Sequence, residues 1–199
     1  MKHLLTFSKT MAAWLALLLI GLFVLPSKVA AQISFRDDFD YPEGNLHGQG
    51  GWVHYGSQTV DPIQVVGTAL TYPGYYEKAD GKSVRLGVTK SAEDLHVRFT
   101  DNDEGIKEGN VYFSALINVE ACPKGNVYSL ALEPRTKKSV IAEGISPTEL
   151  GRVFFAPADN ADEVKIGVER GASNPVFAAE PLKLGQTYLV VMRYEINAV

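Results

Sequence analysis

Between residues 33 and 196 short apolar stretches alternate with clusters of Gly, Pro, Asn and Asp. The stretches are Ile33–Phe39, Ile63–Val66 and Ala69–Tyr72 (a pair about Gly67), Ser83–Val88, Leu95–Phe99, Val111–Val119 and Val127–Leu132. Arg152–Ala156, Val164–Val168 and Thr187–Ile196 complete the series. Their period is 2 rather than 3.6, which is the spacing of a strand with one face buried. Val164, Ile166 and Val168 share one face, and Tyr188, Val190, Met192 and Tyr194 line one face of the last stretch. Val111–Val119 is apolar on both faces, as in a sheet covered on both sides. Pro73-Gly74, Asp80-Gly81, Glu108-Gly109-Asn110, Lys124-Gly125-Asn126 and Gly171–Pro175 supply the turns. Only Ser146–Leu150 resembles a helical turn. Strands without crossover helices predict an all-β fold, a two-sheet antiparallel β-sandwich over residues 32–199. Thr187–Ile196 is the strongest strand of the chain and is followed by only three residues. A strand that strong calls for neighbours, so the expectation is a domain incomplete at its C-terminus.

The N-terminus follows another logic. Lys2 and Lys9 precede an uncharged run, Met11–Leu25, which ends at Pro26-Ser27-Lys28. As a helix that run spans about 22 Å, short of the roughly 30 Å hydrocarbon core. Val29-Ala30-Ala31 then offers small residues at a cleavage site. Residues 1–31 therefore read as a secretory signal peptide, with Gln32 the first mature residue and an uncleaved anchor helix as the alternative. No Cys follows the run to carry a lipid anchor. The expected location is secreted or cell-surface, with no membrane span in the mature chain.

Charge narrows the partners. The 199 residues carry 19 Lys and Arg against 23 Asp and Glu; without Lys2, Lys9 and Lys28 the net charge falls from −4 to −7. An acidic chain argues against nucleic acid as partner. The single Cys, Cys122, excludes a disulfide framework, and with no His beside it in sequence to activate its thiol it reads as a buried or half-buried small residue rather than a reactive one.

Residues Asp37 to Trp52 (DDFDYPEGNLHGQGGW) resemble the D-x-F-x-Y-x-x-G-x-L-x-G-Q-x-G-W opening of concanavalin A-like, laminin-G-like domains of secreted bacterial proteins, common in Bacteroidota. Leu70–Tyr75 with Ser83–Gly87, Val111–Ser114 and Gly185–Val191 extend the resemblance over most of residues 33–199. It implies a jelly-roll β-sandwich, and a module within a larger exported protein. Fold alone does not carry an activity.

The sequence carries no recognisable catalytic apparatus. A retaining glycosidase needs two carboxylates about 5–5.5 Å apart, yet no Glu-x-Asp occurs in the sequence; Asp38-x-Asp40 and Asp101-x-Asp103 both have Asp where the pattern Glu-x-Asp-x-x-Glu opens with Glu, and the second also lacks the third acid. There is no Gly-x-Ser-x-Gly elbow and no His-Glu-x-x-His. His47 and His54 can approach across the Gly48–Gly51 loop, but two His make a poor zinc site. That loop leads into no helix and so reads as a turn, not a phosphate cradle.

Binding candidates remain. Trp52 can stack on a sugar or fill a core, the core being the more frequent fate of a large aromatic. Tyr75 and Tyr76, after Pro73-Gly74, are the better exposed aromatics. Asp101 and Asp103 are the candidate calcium ligands, since the ion takes six to eight oxygens; Asp159–Glu163 is a second acidic loop. The function expected is a non-catalytic, extracellular, lectin-like module within a larger exported protein, which binds polysaccharide or cell-surface glycan or mediates adhesion. A ligand-free spacer is the alternative, and a glycan-active enzyme of the same fold the third.

Overall fold

The structure, a computed structural model, describes residues 35–57, 59–67, 69–75, 81–87, 92–99, 106–133, 150–171 and 174–197. Among them there is no helix. Short strands dominate the first half: β1 (Gly44–Asn45), β2 (Val53–His54), β3 (Gln64–Val66), β4 (Ser83–Arg85) and β5 (Leu95–His96). Longer ones follow: β6 (Gly109–Asn118), β7 (Val127–Leu132), β8 (Gly151–Pro157) and β9 (Glu163–Arg170). Then come β10 (Val176–Phe177), β11 (Leu182–Lys183) and β12 (Thr187–Ile196). All the strand pairings are antiparallel, in the orders β1-β3-β4, β2-β5, β12-β6 and β10-β9-β8-β7, with β11 also on β9. The chain is thus all-β and sandwich-like.

The main core forms where the β6–β12 ladder meets β7, β8 and β9. Leu132, Val153, Phe155, Val164 and Met192 are buried there, with Val111, Phe113, Ile117, Ile166 and Tyr194 packed around them. Alternation accounts for the membership: Val111 and Phe113 stand across from Tyr194 and Met192, so one face of the ladder turns inward. β8 is covered on both faces. Its other side carries Phe154, tilted against Tyr128, and Arg152, which pairs with the buried Glu169 at 2.7 Å and lies over both rings. At Gly167, across the ladder from Phe177, a Cβ would lie 2.7 Å from that ring, so only glycine lets β10 approach.

A second, smaller core holds Leu46, Ile63 and Val65, with Phe39, Tyr41, Trp52, Val84 and Leu95 against it. It explains the opening motif. Asp37 accepts three hydrogen bonds: from the Phe39 amide at 2.8 Å, the Tyr41 hydroxyl at 2.9 Å and the Trp52 indole N–H at 2.8 Å. Gln49 Nε2 donates to the carbonyls of Pro42 and Asn45. Gly50 has φ 54°, and a Cβ there would collide with the Tyr41 ring. The Tyr41 hydroxyl is pushed up to about 12 by burial first, then by its hydrogen bond to Asp37 and that group's charge.

Three expectations change. In Ile33–Phe39, the described residues 35–39 form no strand, because Asp37 captures the Phe39 amide and Phe39 takes a left-handed φ of 52°. Ala69–Tyr72 does not pair with Ile63–Val66; β3 lies between β1 and β4 instead. Val111–Val119 is not covered on both sides, since Tyr112 on its outward face is 62% exposed. Val168 keeps the face it shares with Val164 and Ile166, opposite Val153, but is 52% exposed, while its neighbour Glu169 is buried against Arg152 on the other face. The signal-peptide reading, and all but Leu150 of the helical turn at 146–150, lie outside the described residues.

Candidate ligand-binding surface

The inward face of the β6–β12 ladder builds the core, so its outward face is free for another use. The register sets the outward pairs as Asn110–Glu195, Tyr112–Arg193, Ser114–Val191 and Leu116–Leu189. Cross-strand partners have Cβ atoms about 4.5–5.5 Å apart. A phenol, a guanidinium, a hydroxyl and an isopropyl group therefore share one patch. Tyr112 is 62% and Val191 60% exposed. The Arg193 guanidinium lies 3.9 Å from Glu195, both side chains well exposed. Tyr75 reaches this patch from its own loop: its hydroxyl lies 3.4 Å from Ser114 Oγ. A tyrosine singled out in sequence thus meets a strand 39 residues further along.

The other candidates fall elsewhere. Trp52 is half-buried in the small core, its N–H held by Asp37 and its ring 6.1 Å from that of Phe39. Tyr76, Asp101 and Asp103 lie outside the described residues. In the second acidic loop, Lys183 binds Glu163 at 2.7 Å and Asp162 at 3.3 Å, and Asn160 donates to Glu163. The Lys183 and Asn160 bonds hold the Glu163 carboxyl below its ordinary range, and Glu163 raises Lys183. An ammonium occupies the position a cation would take there. Cys122 is half-buried, its thiol directed at the Pro123 carbonyl at 3.6 Å.

His47 and His54 do meet, stacked with ring centroids 3.8 Å apart and planes within 8°. A face-to-face stack sets the ring nitrogens side by side rather than converging on a point. His54 Nε2 instead pairs with Glu93 at 2.8 Å, whose other oxygen accepts the Ile63 amide. His96 lies edge-on to Tyr55 and 3.3 Å from Glu133. Among the described residues no group of three His, Cys, Asp or Glu is placed to hold a metal ion.

Sequence reasoning missed Tyr112, Ser114 and Arg193. The signal was present: in Val111–Val119 the alternate positions 112 and 114 are the polar-tipped ones. Only the pairing with β12, however, brings Arg193 beside them.

No family model matches the chain, and neither the search of the curated proteins nor that of the solved structures found a match. The resemblance to concanavalin A-like and laminin-G-like domains therefore rests on the opening motif and the later blocks alone.

Proposed function

We propose that this chain is a non-catalytic, lectin-like module of jelly-roll, concanavalin A-like type, exported through residues 1–31 and binding polysaccharide or cell-surface glycan. The observation that carries the reading is the convergence of Tyr75, Tyr112, Ser114 and Arg193 on the outward face of the β6–β12 ladder. Exposed aromatic rings cover the apolar C–H face of a sugar, and hydroxyl and guanidinium groups satisfy its oxygens. The module acts within a larger exported protein. Calcium, at Asp101 and Asp103, is a secondary part of the same proposal.

The test is a glycan array followed by calorimetry on the wild type, Tyr112→Ala and Tyr75→Ala. Tyr112→Ala is expected to lose at least tenfold in affinity while stability changes within about 0.5 kcal/mol, as is usual for exposed positions. Chelation of calcium during the assay tests the metal. Absence of binding to any glycan would overturn the reading in favour of a ligand-free spacer. That second reading has its own support: the opening motif, including Trp52, is consumed by the folding brace around Asp37.

A further inference from the structure

The end of β12 borders a second feature, which the outward patch runs into. A groove of about 480 Å³ lies between β12 and the β9–β10 corner, within the 300–1,000 Å³ range of small-ligand sites. Three valines, Val168, Val176 and Val191, line it at 52%, 73% and 60% exposure. Its charged groups are unequal. Glu169 is tied to Arg152 at 2.7 Å and so is already neutralised. Arg170 lies over the Tyr194 ring, 5.8 Å from its centroid. Arg193 is 59% exposed and only loosely paired with Glu195 at 3.9 Å. Val191 and Arg193 belong both to this groove and to the outward row that carries Tyr112 and Ser114.

We infer that the groove is a subsite for the carboxylate of a uronic-acid polysaccharide, with Arg193 as the group that reads it. The inference rests on the glycan-binding reading and specifies its ligand. A guanidinium presents a planar fork that matches a carboxylate with two parallel hydrogen bonds, which a neutral sugar cannot offer in return. Tyr112 stands directly across the ladder from Arg193, so one sugar ring over the phenol places its acid group at the fork. The valines offer no competing donor, and they add apolar area under the next residue of the polymer. The net charge, −4 for the whole chain and −7 without residues 1–31, opposes an acidic polymer at long range, but at physiological salt such repulsion is screened beyond about 8 Å. Local guanidiniums then decide.

The experiment uses the chain with homogalacturonan and alginate, each as free acid and as ester, so that charge changes on a constant backbone. Binding is measured by calorimetry for wild type, Arg193→Gln and Arg193→Lys. The expected result is at least tenfold tighter binding of a free-acid form by wild type. Arg193→Gln abolishes that preference, and Arg193→Lys keeps only part of it, at unchanged melting temperature. Equal binding of acid and ester by wild type overturns the inference, as does a preference that survives in Arg193→Gln. So does failure to bind any of the four polymers. A neutral-glycan panel run in parallel separates the cases: binding there leaves the lectin reading standing, and no binding anywhere removes both.

Discussion

Removing the Asp37 carboxylate dissects the brace. Its two oxygens take three donors, those of the Phe39 amide, the Tyr41 hydroxyl and the Trp52 indole, all at 2.8–2.9 Å. Hydrogen bonds to a charged group contribute about 1.5–3 kcal/mol each where water cannot replace the partner. Asp37 is half-exposed, so water can serve some of these donors once the carboxylate is gone. The bond to Phe39 does more, because it holds a bulky residue at φ 52°, a conformation costing on the order of 1–3 kcal/mol. Asp37→Ala should therefore destabilise by about 2–4 kcal/mol, the lower bound reflecting water and the upper the loss of the Phe39 turn. Asp37→Asn retains acceptor capacity but not charge, and should cost about half as much. The indole bond is isolated by a cycle of Asp37→Ala, Trp52→Phe and the double variant, with urea melts followed by circular dichroism because Trp52 itself is altered. A coupling of about 1–2 kcal/mol is expected, within the range for directly contacting groups. Additivity within about 0.3 kcal/mol would refute the brace, as would an Asp37→Ala protein as stable as wild type.

Other outcomes follow from the same geometry. Gly50→Ala should cost clearly more than Gly48→Ala in denaturant midpoint, because both have positive φ but only at position 50 does the new Cβ meet Tyr41. Tyr41 titrates at about 12 in the fold against 10.0 ordinarily, so its contribution is complete below pH 10 and is lost as the pH rises towards 12; Tyr41→Phe should flatten alkaline unfolding over that window, read by circular dichroism. Glu163 is depressed through Lys183 and Asn160, so its contribution is present at neutral pH and fades as acid protonates the carboxyl; Glu163→Gln should reduce the acid sensitivity of the melting temperature. Glu93 is 5% exposed and serves both His54 and the Ile63 amide. Glu93→Ala should destabilise by about 2–4 kcal/mol in urea melts, the cost of stranding buried partners.

What could be read in advance follows the length of each element. β7 and β12 have the bounds that their alternation predicts, and β6, β8 and β9 differ by one or two residues at their ends. Over six or more residues the period-2 signal outweighs local preferences. β1, β2, β5, β10 and β11 contain two residues each, and two residues have no period; of these only β5 lies in an expected stretch, Leu95–Phe99, which is longer than the strand it forms. The Ile33–Phe39 stretch was misleading because a single carboxylate, Asp37, redirects a backbone whose side chains alternate like a strand. Val168 keeps its expected face, opposite Val153, yet is exposed, a property of what packs over β9 rather than of its own alternation. The candidate surface was half legible. Tyr75 could be singled out from its turn, whereas Tyr112 and Arg193 are 81 residues apart and become neighbours only through the ladder register.

That register also sets when the core can close. The β6–β12 pairing joins residues at least 69 apart in sequence, and the chain between them contains β7 to β11. Met192 and Tyr194 are supplied by β12, the last strand among the described residues, yet they cover the same cluster as Val153, Phe155 and Val164. A chain emerging from its N-terminus, whether from a ribosome or through a membrane pore, carries those three apolar residues without the cover of Met192 and Tyr194 until β12 has followed. Long-range closure of this kind is slow, because the loop entropy must be overcome before any contact is gained. The interval before β12 arrives is when a holding chaperone has most to do, and when proteolysis or aggregation would select against slow synthesis of residues 157–196.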